Sequence, residues 1–123
     1  EFQIEHSGQW VKGKSCDTFG PIGPYLVTTD EVPDPQNLDM SVTVNGTTMQ
    51  NGNSRDMIFS VRQIISHLSE LMTLHPGDII ATGTPAGVGM GQKPDPVYLQ
   101  DGDEIVTTIA GLGSQRQFVV AES

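Results

Sequence analysis

The chain has 123 residues, 36% of them hydrophobic and 6% aromatic, and its 15 acidic residues against 6 basic ones give a net charge of −9. That length suits a single domain over residues 1–123, while the low apolar share predicts a modest core, with some apolar surface belonging against a partner or a further segment. The composition excludes the clustered Lys and Arg that nucleic acid or an anionic membrane would require, an internal disulfide (Cys16 is the single cysteine) and an apolar run of the ~18–20 residues that span a bilayer.

In chain order, the opening EFQIEHSGQW carries no signal-peptide pattern, and a cytoplasmic location is expected. Residues 24–29 (PYLVTT) are a β-branched and aromatic run bounded by Gly, Pro and Asp, which predicts a strand, and the Pro-rich stretch Val32–Gln36 follows as a surface connection. Strands are predicted at 40–44 and 47–50 around Asn45-Gly46, a pair that supplies the two positive φ angles of a tight hairpin. Asn45-Gly46-Thr47 also fits a glycosylation acceptor, and the turn is the better reading.

One helix is predicted over 61–73. Val61, Ile64, Ile65, Leu68 and Leu71 share one face of a 3.6-residue period and are expected to be buried. Ser60 with Gln63 forms a capping box, Phe59 with Ile64 occupies the staple positions, and Pro76-Gly77 marks the stop. Further strands are predicted at 78–82, 103–110 and 115–121, the last two joined as a hairpin through Gly111–Ser114. Several strands to one main helix make a β-rich α+β fold, not a doubly wound one.

Two segments invite a chemical reading. Thr82–Gly91 (TGTPAGVGMG) is a glycine-rich loop after a predicted strand, but it runs into Lys93-Pro94-Asp95-Pro96 and not into a helix whose N-terminus could hold a phosphate. Its glycines instead permit close backbone approach to a ligand or a neighbouring segment, with Thr84 offering a hydroxyl. Lys14 stands among small and polar residues in a chain poor in lysine, which is compatible with a solvated surface residue or with a catalytic one. No HExxH, CxxC or GxSxG pattern occurs, so neither a zinc site nor a serine-hydrolase elbow is indicated.

Four motifs in order, GKSCDTFGPIGP from Gly13, QNGNSRDMIF from Gln50, PGDIIATGTPAGVG from Pro76 and the closing Gly102-Asp103 to Gly111-Leu112-Gly113, resemble signatures of the fumarylacetoacetate hydrolase family. Within it, EFQIEHSGQW, the Cys16–Pro21 form and Gly91-Gln92-Lys93-Pro94 look most like 2,4-diketo-3-deoxy-L-fuconate hydrolases. The resemblance implies the C-terminal portion of a catalytic domain, a mixed β-roll or β-sandwich that is usually dimeric. It also implies Mg²⁺ or Mn²⁺ chelating the keto-acid end of an acylpyruvate, which is hydrolysed at a carbon–carbon bond to pyruvate and a second acid. In the family the metal-binding carboxylates, and the His and Glu that activate water, lie upstream of the position matching Glu1. The positions that match within this chain are Gln3 and Thr84 for substrate, and Lys14 and Thr18 beside the metal, with Lys14 stabilising the departing enolate. Relatives on the same scaffold catalyse isomerisation, decarboxylation or ureidoglycolate cleavage, and a non-catalytic β-rich module is the remaining alternative.

Overall fold

The computed structural model describes residues 8–121, so Gln3 lies outside the described residues. Four strands form one sheet: β1 (Asp39–Val44), β2 (Thr47–Asn53), β3 (Glu104–Ile109) and β4 (Gly113–Phe118), in the order β2-β1-β3-β4 with every neighbouring pair antiparallel. Among the described residues one α-helix, α1 (Val61–Leu71), follows β2 after a short 3₁₀ turn, Ser54–Asp56. The fold is thus mostly β with one helix, as the sequence predicts.

Local chemistry explains the elements. Asn45 and Gly46 adopt φ of 49° and 78°, the left-handed geometry of a two-residue hairpin. Asn45 also ties that turn to β3: its amide accepts from the Glu104 N–H at 2.9 Å and donates to Asp103 Oδ1 at 2.8 Å. The β1–β2 register shifts between Val42, opposite Gln50, and Thr43, opposite Thr48, which leaves Met49 as the extra residue of a bulge. In α1 the capping box is formed, with Ser60 Oγ accepting from the Gln63 N–H at 3.3 Å and Gln63 Oε1 accepting from the Ser60 N–H at 2.9 Å.

Three expectations are corrected. Residues 24–29 and 78–82 are not strands, because neither finds a partner among the described residues to complete a ladder. Gly23–Tyr25 instead crosses the start of β4: Gln115 Nε2 donates to the Gly23 carbonyl, and the Pro24 and Tyr25 side chains come within 3.2 Å of where a Gly113 Cβ would stand. The helix ends at Leu71, not residue 73, and its apolar face is not buried: Val61, Ile64 and Leu68 are half-covered, Ile65 is 45% exposed and Leu71 67% exposed. Periodicity identifies the apolar face of a helix, not what covers it. Among the described residues no hydrophobic side chain is fully buried, and Ser54 alone falls in the buried class.

Candidate functional site

The turn leaving β2 is tied to its surroundings by side-chain hydrogen bonds on three sides. Ser54, 6% exposed, accepts from the Leu38 N–H and donates to the Pro35 carbonyl, each at 2.8 Å. Gln36 spans the turn and the helix start, donating to the Ser54 carbonyl at 2.6 Å and accepting from the Val61 N–H at 2.8 Å. Asn53 closes the third side, accepting from the Arg55 N–H at 2.8 Å and donating to Asp39 Oδ1 at 2.7 Å. A turn whose backbone groups are satisfied in this way is a rigid support for side chains pointing away from it.

The glycine-rich loop lies against β2. A Cβ on Gly87, where φ is +107°, would stand 2.0 Å from the Met49 carbonyl oxygen, and one on Gly89 would stand 1.9 Å from that of Val97. Only glycine permits such backbone contact. The Met49 bulge therefore sits where the loop docks, and the next residue, Gln50, reaches across: its Nε2 donates to Thr84 Oγ1 and to the Pro85 carbonyl, both at 2.7 Å.

Loop and turn together enclose a cavity of about 350 Å³. Its polar lining comes from Asn53, Ser54, Asp56, Thr82 and Thr84, and its apolar lining from Met40, Met57, Ile58, Phe59, Ile64 and Pro85. Apolar walls with a few fixed polar groups, one of them a carboxylate and two of them threonine hydroxyls, suit a small polar organic molecule.

Thr84 lines this cavity, whereas Lys14 and Thr18 do not. Both are exposed, the Lys14 ammonium lies over the Trp10 ring at 5.8 Å from its centroid, and Thr18 adopts a φ of 66°. Their segment leads to the Gly23–Tyr25 crossing at β4, while the Thr84 loop docks on β2, the opposite edge of the sheet. Among the described residues no three His, Cys, Asp or Glu side chains gather as a metal site. Hard divalent ions take about six oxygen ligands, so these residues alone do not make a shell for Mg²⁺ or Mn²⁺. Also among the described residues, no helix is long and apolar enough to cross a membrane.

Asn53 and Asp56, which line the cavity, and Gln50, which touches Thr84, are candidate site residues to which sequence reasoning assigns no role. All three lie in QNGNSRDMIF, and the available signal is Asn51, Gly52 and Asn53 in a row within a strand, residue types that strands otherwise avoid.

The chain is 61% identical over 121 residues to a Burkholderia multivorans protein named as a hydrolase, covering 98% of this chain and 43% of that protein's length. Among solved structures, fumarylacetoacetate hydrolase from psychrophilic Exiguobacterium antarcticum is 48% identical with a TM-score of 0.92, covering 98% of this chain and 43% of that one. Maleylpyruvate hydrolase from Sphingobium sp. SYK-6, in complex with manganese(II) ion and pyruvate, is 44% identical with a TM-score of 0.78, covering 88% of this chain and 38% of that one. The family profile of the fumarylacetoacetate (FAA) hydrolase C-terminal region matches residues 1–120, and the chain belongs to the fumarylacetoacetate hydrolase family.

Proposed function

We propose that the whole protein carrying this chain hydrolyses a carbon–carbon bond of a 2,4-diketo acid, releasing pyruvate and a second acid. The observation that supports this most is the likeness to a maleylpyruvate hydrolase whose structure holds manganese(II) and pyruvate, the product common to all acylpyruvates. In this reading residues 1–123 are the C-terminal portion of one catalytic domain. The carboxylates that would hold Mg²⁺ or Mn²⁺, and the groups that would activate water, lie outside this chain in this reading, and such a metal would supply polarisation of the 2-keto acid end.

The reaction balances simply. Water adds to the C4 carbonyl, the C3–C4 bond breaks, and its electron pair moves onto C3 as the enolate of pyruvate. That enolate takes up a proton at C3, and C4 leaves as the carboxyl group of the second acid. Gln3 and Thr84 hold the substrate. By the family resemblance Lys14 would set its ammonium against the negative charge that develops on the enolate oxygen, and Thr18 would orient metal-bound water or Lys14. Both lie away from the Thr84 cavity in this structure, so the role requires the whole protein to bring their segment to the substrate.

Lys14→Met in the whole protein tests the assignment. Loss of one preorganised charge-stabilising group lowers kcat by ~10²–10³, while loss of a solvated surface lysine changes stability by under ~0.5 kcal/mol and rate hardly at all. Steady-state pyruvate release, with circular dichroism to confirm folding, separates the two. A kcat within about threefold of the unsubstituted protein returns Lys14 to the surface.

A further inference from the structure

We propose that Gln50 is a positioning residue that fixes Thr84 as a hydrogen-bond donor toward an anionic oxygen of the substrate, an inference that rests on the assignment of Thr84 to substrate above. The argument begins with Pro85. A backbone carbonyl only accepts, so the Gln50 amide atom 2.7 Å from the Pro85 oxygen must be its nitrogen. The same nitrogen is 2.7 Å from Thr84 Oγ1, and an amide NH₂ has two protons to give and no lone pair to offer. Thr84 Oγ1 is therefore the acceptor in that bond, and its own proton must point elsewhere. Among the described residues that proton finds only the Pro85 carbonyl, at 3.5 Å and already engaged by Gln50. That distance is too long for a hydrogen bond of useful strength.

The remaining direction is the cavity that Thr84 lines. A hydroxyl can give or accept, and an unrestrained threonine would hydrogen-bond an acceptor or a donor group equally well. One that already accepts from Gln50 keeps its proton for an acceptor oxygen, and among those of a 2,4-diketo acid the carboxylate makes the stronger, charge-assisted bond. Open space around Gly83, which meets nothing within 4 Å of its Cβ position, lets such an oxygen approach. The Met49 bulge and the Gly87 contact hold Gln50 and the loop at the spacing this needs.

The test is steady-state kinetics of the whole protein with a 2,4-diketo acid, comparing Gln50→Glu, Gln50→Met and Thr84→Val. A carboxylate at position 50 accepts the Thr84 proton and reverses the polarity, so Gln50→Glu raises KM by ~10–100-fold, the factor for a lost hydrogen bond to a charged group. In the same variant kcat changes by less than about threefold. Its KM defect shrinks as pH falls toward the ordinary glutamate value of ~4.3, where a protonated carboxyl can donate again. A purely structural role produces no such recovery. Gln50→Met raises KM by about threefold or more. If Gln50→Glu does not fold, Gln50→Met carries the decision, and an unchanged KM there overturns the proposal. Unchanged KM in Gln50→Glu alongside a raised KM in Thr84→Val overturns the role of Gln50 alone. Unchanged KM in Thr84→Val removes Thr84 from the substrate and overturns both readings.

Discussion

Replacing Gly87 by alanine probes whether the glycine-rich loop is held against β2 by backbone contact. Two costs add. At φ +107° an L side chain is strained by ~1–3 kcal/mol wherever it points. The new Cβ would also stand 2.0 Å from the Met49 oxygen, where ordinary contact begins at 3.4 Å, so loop and strand must part by more than ~1 Å. Gly83→Ala serves as the control, since Gly83 has a φ of +105° but open space at its Cβ position. Subtracting the control leaves the clash, which for overpacking of this kind is ~1–3 kcal/mol. Urea unfolding of the two variants measures the difference. If Gly87→Ala is no more than ~0.5 kcal/mol worse than Gly83→Ala, the docking of loop on bulge is wrong, and with it the support for the Gln50–Thr84 contact.

Two further outcomes are expected. Ser54→Ala leaves the Leu38 N–H and the Pro35 carbonyl without their buried partner and costs ~1–3 kcal/mol in unfolding experiments, whereas a loss below ~0.5 kcal/mol would mean that this turn is not the rigid support described. Asp103 is held below the ordinary carboxylate range by the Gln100 backbone N–H and then by the Asn45 amide. A depressed folded value means that its contribution to stability is complete above the ordinary aspartate value of ~3.9 and fades as pH falls through the folded value. Carboxyl-carbon NMR titration checks the direction, and a midpoint at or above the ordinary value contradicts it.

The parts of the fold legible in the sequence are those fixed by neighbouring residues. Asn45-Gly46 demands a hairpin wherever the chain places it, and Ser60 with Gln63 starts a helix with partners only three residues apart. Residues 24–29 and 78–82 have strand composition, but a strand exists only when a second one supplies its hydrogen bonds, and composition carries no information on that partner. Burial failed for the same reason: the stripe of α1 is apolar by sequence, yet Leu71 is 67% exposed because nothing among the described residues lies over it. Thr84 was singled out by its place in a glycine-rich loop, and the structure sets it on the wall of the cavity. Gln50 was not singled out, because its role depends on a contact 34 positions away in the chain.

The central claim is hydrolysis of a carbon–carbon bond, and isotope incorporation tests it most directly. The whole protein is incubated with a 2,4-diketo acid in H₂¹⁸O, and the products are quantified by mass spectrometry. Hydrolysis yields pyruvate and the second acid in equal amounts, with one solvent oxygen retained in the new carboxyl group of the second acid. A product of unchanged mass with no pyruvate would assign the protein to isomerisation, and release of carbon dioxide without a second acid would assign it to decarboxylation; either result contradicts the proposed reaction.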